Sequence, residues 1–236
     1  MTQIWNPLDA GGTYNNHPIG VWYNYSSAHW EIFNEDLAPM TPGAAFNVVL
    51  APSLYLDGST TSYTHVASST PLSNYTDITN SVSDNHPNAI VLVTPNWSPW
   101  NVYDNHPVGV WYNSSTGHWS IFNEDLAAMP AHAAFNVIAI SASSLNVYTL
   151  NSGSASRVGD SVYTIDGLSD VAGAYVFITP SWNPGGSYSG TYHNLDILPV
   201  PRRAGDSPLR NGGLLLQRCV HGRLSPLHVL PYLHSH

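Results

Sequence analysis

Lysine is missing from this chain of 236 residues, and charged residues of all kinds make up only 9% of it. The basic residues are six arginines, against fifteen acidic residues, so the net charge is −9 at pH 7. This balance argues against a nucleic-acid partner, because phosphate binding needs a basic face. No apolar run approaches the roughly 18 residues of a membrane span, and we expect no signal peptide behind Met1.

Cysteine is almost as rare, since Cys219 is the only one and cannot form an intramolecular disulfide. Eighteen glycines and eighteen prolines argue against a helical bundle or a coiled coil. Hydrophobic residues make up 43% of the chain and aromatic residues 11%, which is too much for a disordered protein. The composition therefore predicts an all-β protein.

The few arginines are concentrated near the C-terminus. Arg157 is the only one before residue 195, whereas the other five lie in 195–236. This segment contains neither Trp nor Phe and shows neither the alternation of a strand nor a helical period. We interpret 195–236 as an aberrant tail, produced by a frameshift or derived from a vector, with a natural basic tail as the alternative.

The rest of the chain is built from repeats. Residues 16–49 and 105–138 are identical at 24 of 34 positions without a gap, at a spacing of 89 residues. A second pair of segments, 88–97 and 173–182, is also similar, and each ends in Thr-Pro-x-Trp. A repeat therefore has a front half that ends at Thr-Pro-x-Trp and a back half that begins at Asn-His-Pro.

This order predicts two pseudo-equivalent units of about 90 residues. One unit is continuous over 55–140, and the chain ends supply the back half 4–50 and the front half 145–194. Because a half unit exposes strand edges and one side of its core, we expect 4–50 and 145–194 to complete one unit together. The pairing can form within a monomer or in a strand-swapped dimer.

Three motifs of the repeat carry a resemblance to a known family. They are Asn105–Tyr112 (NHPVGVWY), Ile121–Asp125 (IFNED) and Ala133–Val137 (AAFNV). The motif set resembles an uncharacterised bacterial family of tandem-repeat proteins that are secreted or lie on the cell surface. The resemblance covers about 190 residues and implies no known chemistry.

Local patterns predict short strands and tight turns. Gly109–Asn113 and His118–Phe122, joined by residues 114–117, predict a β-hairpin. Ala89–Val93 and Ala134–Ile138 predict buried strands, and Asn123–Met129 is a candidate for one helical turn capped by Asn123. About six such strands per unit predict a β-sandwich or a barrel-like fold.

The polar residues of the repeated motif are the candidate ligand-binding site. They are Asn16, His17, Trp22, His29, Glu35 and Asp36 in the first copy and Asn105, His106, Trp111, His118, Glu124 and Asp125 in the second. Two histidines and a carboxylate could hold zinc or iron, but no tight metal-binding spacing such as HExxH occurs. We therefore predict no metal and no cofactor. Adjacent carboxylates on a strand point to opposite faces and suit a glycosidase poorly, so capping of a turn is favoured.

Tryptophan is the most suggestive residue type, because all eight occur before residue 183 at recurring places in the repeat. An indole face can stack on a sugar ring while amide and acidic side chains bind its hydroxyl groups. The alternative is that the tryptophans form the core. For Trp22 and Trp111 the sequence leaves both interpretations open.

The expected function is an extracellular binding or structural repeat module, with a glycan or a cell-surface polymer as the partner. Two copies of one polar and aromatic constellation favour binding over catalysis, because two weak sites gain from avidity. The alternative is a secreted hydrolase, a glycosidase or an esterase, that uses histidine and carboxylates near the Asn-His-Pro motif. The expected location is secreted or at the cell surface.

Overall fold

The structure is a computed structural model that describes residues 2–4, 13, 15–50, 59–71, 73–141, 162–165, 176–183, 186, 197–200 and 214–218. Within these ranges the regular structure is entirely strand, which confirms the all-β class. The strands are β1 (Thr2–Ile4), β2 (Ile19–Asn24), β3 (His29–Asn34), β4 (Ala45–Asn47), β5 (Thr60–Val66), β6 (Tyr75–Asp77), β7 (Ile90–Pro95), β8 (Val108–Asn113), β9 (His118–Asn123), β10 (Ala134–Ile140), β11 (Val162–Ile165), β12 (Ile197–Val200) and β13 (Leu214–Arg218). The part of the chain described contains no helix that could cross a membrane.

Residues 59–141 form one complete β-sandwich. Its two antiparallel sheets have the strand orders β5-β10-β7 and β6-β9-β8. In the first sheet Val137 lies opposite both Tyr63 and Val93, and in the second Ile121 lies opposite both Thr76 and Val110. The two central strands, β10 and β9, therefore carry the positions that are most fully enclosed.

The core lies between these two sheets. Its largest fully buried side chains include Phe135 on β10, Ile121 on β9 and Ile78 just after β6. Trp119 and Tyr112 extend the same cluster and pack edge to face at 5.7 Å between ring centroids. Aromatic and β-branched residues thus supply both the strand preference and the buried area.

The predicted hairpin of the second repeat is confirmed as β8 and β9. The expected helical turn over Asn123–Met129 is wrong. Leu126 has a φ of 65°, which ends any helical path, and Asn123 Nδ2 donates instead to the carbonyl oxygens of Ala127 and Ala128 at 3.3 and 3.4 Å. A buried amide that satisfies two main-chain carbonyls replaces the helical hydrogen bonds here.

The first repeat has the same strands as the back half of the second. Strands β2, β3 and β4 occupy the positions of β8, β9 and β10 at the spacing of 89 residues. Strands β2 and β3 form a two-stranded sheet, and β4 pairs with β1 in another.

The C-terminal ranges contribute a third three-stranded sheet, with the strand order β11-β13-β12. Two of its strands belong to the segment interpreted as an aberrant tail, and that interpretation stays a prediction. The segment 173–182, which is similar in sequence to 88–97, is described only from residue 176 on, and 176–178 is not a strand. Asn47 Nδ2 donates to Val176 O at 3.1 Å, which joins the two segments expected to complete one unit, and their full assembly also stays a prediction.

Truncation after Asn194 tests the interpretation of the tail. We expect the thermal midpoint to stay almost unchanged, because the buried core cluster lies entirely between residues 67 and 137. Differential scanning calorimetry of the full and shortened chains is the measurement. A loss of several degrees would contradict it, since even about 1 kcal/mol is visible in domains of this size.

Candidate functional site

A histidine and an aspartate join the turn before β2 to the turn after β3. His17 Nδ1 lies 2.6 Å from Asp36 Oδ2, with both side chains about a third exposed. Asp36 Oδ1 accepts a hydrogen bond from the Ala38 amide at 3.0 Å. Burial alone would raise the pKa of Asp36, but the hydrogen bonds from Ala38 and His17 outweigh it and lower that pKa. The ionised carboxylate therefore holds two turns together.

The second repeat contains the same arrangement. His106 Nδ1 lies 2.8 Å from Asp125 Oδ2, and Asp125 Oδ1 accepts from the Ala127 amide at 3.0 Å. The exposures of the two side chains are also similar, at 30% and 37%. The pairing of Asn-His-Pro with Asn-Glu-Asp is thus a property of the repeat.

The glutamate of each motif is buried beneath the hairpin. Glu35 and Glu124 are each only 2% exposed, and their amides donate at 2.8 Å to the carbonyl oxygens of Pro18 and Pro107. Each carboxyl lies against a glycine of the neighbouring strand, where a Cβ on Gly109 would clash with Glu124 Oε1 and approach Phe122 Cε1 to 3.0 Å. Gly20 faces Glu35 in the same way. The Gly-Val-Trp-Tyr strand therefore needs glycine because the carboxyl occupies the space of a side chain.

Each Gly-Val-Trp-Tyr strand also pairs with the Thr-Pro-x-Trp segment of the following repeat. Val21 forms a parallel bridge with Asn96, and Val21 O accepts from the Trp97 amide at 2.9 Å. In the second repeat Val110 forms the same bridge with Ser181 and accepts from the Trp182 amide, again at 2.9 Å. We call this repeat-to-repeat contact the junction.

The junction is completed one residue further along by a side chain. The Tyr23 amide donates to Ser98 Oγ at 2.5 Å, and the Tyr112 amide donates to Asn183 Oδ1 at 2.7 Å. Asn183 Nδ2 also donates to Tyr112 O at 2.8 Å. The side-chain amide of Asn183 therefore makes the two hydrogen bonds to Tyr112 that a main-chain amide and carbonyl would make in a β-ladder. Both repeats thus engage their successor through equivalent atoms.

The first junction encloses two acidic groups. Glu35 Oε2 accepts a hydrogen bond from the Asp104 amide at 3.2 Å, and the Asp104 side chain, 2% exposed, accepts from Asn123 Nδ2 at 3.2 Å. Burial raises the pKa of Glu35 to about 8; the Asp104 amide opposes this shift and the Asp104 charge adds to it. Burial likewise raises the pKa of Asp104 to about 7, against the opposing effects of His106 and Asn123. In the folded protein both carboxyls therefore hold a proton to a higher pH than an exposed carboxyl does.

A pair of tryptophans packs edge to face across each junction. Trp22 and Trp97 lie 5.5 Å apart between ring centroids, and Trp111 and Trp182 lie 6.2 Å apart, both at an interplanar angle of 89°. Trp22 and Trp111 are only partly buried. They contribute to the contact between repeats and are neither fully buried nor fully exposed.

The other residues of the predicted ligand-binding site lie outside the two tryptophan pairs and the two His–Asp pairs. Asn16 and Asn105 are exposed. His29 Nδ1 contacts Ser27 O at 2.5 Å, and His118 Nδ1 contacts Asp84 Oδ1 at 3.1 Å. His17 and His106 thus contact the aspartate of their motif, whereas His29 and His118 contact other residues at the far end of the hairpin. Six-residue strands separate the two ends of the hairpin by about 17 Å at roughly 3.3 Å per residue.

Sequence reasoning missed Asp104, Ser98 and Asn183. The equivalent of Asp104 in the first repeat is Asn15, whose Nδ2 donates to Asn34 Oδ1 at 2.7 Å. The sequence signal that could have identified Asp104 was the acid in the second repeat at a position where the first repeat has an asparagine. The described residues contain no cluster of three or more His, Cys, Asp or Glu side chains placed to hold a metal ion.

Together the sandwich, the junctions and the matched turns define a protein of tandem β-sandwich repeats. The chain belongs to the family described as Domain of unknown function (DUF7452), whose model matches residues 1–50, 53–140 and 113–198. The second match covers the complete sandwich. No curated protein and no solved structure matches the chain significantly.

The buried junction carboxyls predict a pH-dependent stability. A carboxyl whose pKa is raised in the folded state binds its proton more tightly there than in the unfolded chain. We expect the free energy of unfolding to be highest near the unfolded pKa of about 4.5 and to fall as pH rises to about 8. Denaturant titrations at several pH values measure this dependence.

Glu35→Gln should flatten that profile, whereas Glu31→Gln should leave it unchanged. Glu31 lies on the same hairpin but is only partly buried, and it accepts from Asn24 Nδ2 at 2.8 Å within that hairpin. A profile of equal slope in the Glu35→Gln variant would show that this carboxyl is not the titrating group.

The glycine contact predicts a second effect on stability. Gly109→Ala should destabilise the protein by roughly 1–3 kcal/mol, the range of overpacking, because the new methyl group meets Glu124 and Phe122. Ser115→Ala, in the exposed turn of the same hairpin, should stay within about 0.5 kcal/mol of the parent. The double variant Gly109→Ala/Glu124→Ala should lose less than the sum of its single variants. Additive losses in urea unfolding would contradict the contact.

Proposed function

We propose that the chain is an extracellular binding or structural repeat module, secreted or at the cell surface, whose favoured ligand is carbohydrate. The observation that carries the proposal is the accessible part of Trp22 and of Trp111, held in the same edge-on position at two successive junctions. Each indole is oriented by a neighbouring tryptophan and so loses little conformational freedom when a ligand binds.

The duplication supports binding over catalysis. Equivalent platforms on consecutive repeats can engage consecutive units of one polymer, so that weak single contacts combine into useful avidity. Glycans and cell-surface polymers repeat along their length and match such an array.

The bonding of the polar motif also supports binding over hydrolysis. The ring Nδ1 atoms of His17 and His106 are engaged with Asp36 and Asp125, which are themselves bonded to main-chain amides. Glu35 is protonated near neutral pH because of its burial. These contacts give the motif a structural role, because they fix the turns and the hairpin that lie beside the tryptophans.

Binding to a panel of immobilised glycans and cell-wall polysaccharides tests the proposal. We expect Trp22→Ala and Trp111→Ala each to weaken binding about tenfold, which corresponds to about 1.4 kcal/mol, and the double variant to abolish it. Trp100→Ala is the matched control, because Trp100 is an exposed tryptophan outside the two tryptophan pairs. Near-ultraviolet circular dichroism monitors the fold.

Two outcomes would contradict this proposal. Unfolding of both tryptophan variants would make these residues core, since truncating a fully buried Trp costs roughly 3–5 kcal/mol. Turnover of chromogenic esters or glycosides that is lost in His106→Ala would identify a hydrolase instead.

A further inference from the structure

A carboxylate stands beside the first tryptophan pair. Glu31 on β3 lies directly opposite Trp22 on β2, so the two side chains leave the hairpin on the same face. Glu31 Oε1 accepts hydrogen bonds from Asn24 Nδ2 at 2.8 Å and from Ser27 Oγ at 3.3 Å. Because both bonds fall on one oxygen, they fix the carboxylate with Oε2 turned away from the donors. The first repeat thus combines an oriented indole with an oriented anion.

The second repeat keeps a carboxylate in this place although the equivalent residue has changed. Ser120 stands where Glu31 stands in the first repeat, and it lies between Trp111 on one neighbouring strand and Asp77 on the other. The Ser120 hydroxyl donates to Asp77 Oδ1. Trp111, Ser120 and Asp77 form one row across the sheet, on the face opposite the buried Ile121. The next strand therefore supplies the charge that the motif position lacks.

The aromatic rings beside each carboxylate stand at right angles to one another. In the second repeat Trp111 packs edge to face with both Trp182 and Tyr75, at interplanar angles of 89° and 84°. In the first repeat Trp22 meets Trp97 at 89°. Two rings at right angles bound a corner, and a group in that corner lies over the π face of at least one ring. We call these two places the tryptophan corners.

A corner of this kind beside a carboxylate suits a cation. The π face of an aromatic ring attracts an ammonium group within about 6 Å of its centre, and tryptophan does so most strongly. The carboxylate adds a full negative charge and accepts hydrogen bonds from the N–H groups of the cation. Trp22, Trp111, Glu31 and Asp77 are all partly buried, so a ligand can reach them while the protein limits screening by salt.

The charges of the chain leave both carboxylates to a ligand. Lysine is absent, and Arg157 is the only arginine before residue 195. In the described ranges each ion pair joins a histidine to another aspartate, and neither Glu31 nor Asp77 takes part in one. His65 lies close enough to feel the charge of Asp77, but burial lowers the pKa of His65 and favours its neutral ring.

We infer that the tryptophan corners recognise amino sugars that carry a free ammonium group, with Glu31 and Asp77 as the specificity-determining residues. The sugar ring stacks on Trp22 or Trp111, and its ammonium group enters the corner and meets the carboxylate. A neutral sugar offers hydroxyl groups to the carboxylate but leaves its partly buried charge uncompensated. A polymer of amino sugars repeats the ammonium group and so engages both corners. This inference rests on the proposed function and narrows its ligand to cationic glycans.

Paired oligomers of equal length test the inference. Glucosamine and N-acetylglucosamine oligomers differ only in the acetyl group that removes the charge. Isothermal titration calorimetry is carried out at about pH 6, where most of the amines are protonated and ordinary carboxylates, with pKa values of about 4, are ionised. We expect the glucosamine oligomer to bind about tenfold more tightly, and added salt to reduce this difference.

Amide substitutions remove the two charges and keep the shapes of the side chains. Glu31→Gln and Asp77→Asn should each reduce the preference, and the double variant should bind both oligomers equally. Asp84→Asn is the charge-matched control, because Asp84 pairs with His118 outside the two corners. It should keep the preference of the parent chain. Near-ultraviolet circular dichroism confirms that each variant is folded.

Several outcomes would overturn the inference. Equal binding of both oligomers by the parent, or tighter binding of the acetylated one, overturns it and leaves the proposed carbohydrate ligand in place. A preference that persists in the double variant also overturns it. The same holds if an oligolysine of equal charge binds as tightly as the glucosamine oligomer, since general attraction to a net charge of −9 would then suffice.

Two further results separate the inference from the proposed function. Binding to no glycan at all contradicts the proposed function and the inference together. A preference for the glucosamine oligomer that disappears in the double variant and persists in Asp84→Asn supports both.

Discussion

The buried glutamate under each hairpin is the constraint on which the rest of the repeat depends. A carboxyl group removed from water needs hydrogen bonds or a proton, because an unpaired buried charge is costly. Glu35 is accommodated by a glycine on the neighbouring strand and by an amide of the following repeat. One side chain thereby couples the local hairpin to the order of the repeats.

The histidine and aspartate of the motif extend this coupling to the two turns that flank the hairpin. Their contacts recur at 2.6 and 2.8 Å, and each aspartate also accepts from a main-chain amide two residues further along. A motif rich in His, Asp and Glu resembles a reactive centre in composition. In this repeat its described bonds join the two turns that flank the hairpin.

The two copies of the motif also show that burial is not a property of the motif itself. Trp119 and Trp30 occupy the same position in the two copies of the motif, yet one is core and the other is half exposed. In the second repeat the front half supplies a strand and a loop that cover the hairpin, whereas among the described residues no strand pairs with the outer edge of β3. The burial of this tryptophan thus accompanies the pairing of the hairpin with a front-half strand.

The sequence by itself determined the strand class, the spacing of 89 residues and the β8–β9 hairpin. These features follow from local residue preferences and from the sequence identity between the two copies of the motif. Both can be read from the sequence without knowing any distance in the fold. Only the tertiary structure decided that His118 pairs with Asp84, that Glu35 meets Asp104 and that Val21 pairs with Asn96. Each of those contacts joins residues 34 to 75 positions apart. Such contacts follow from how sheets stack and how one repeat meets the next, and nothing local in the chain encodes that geometry.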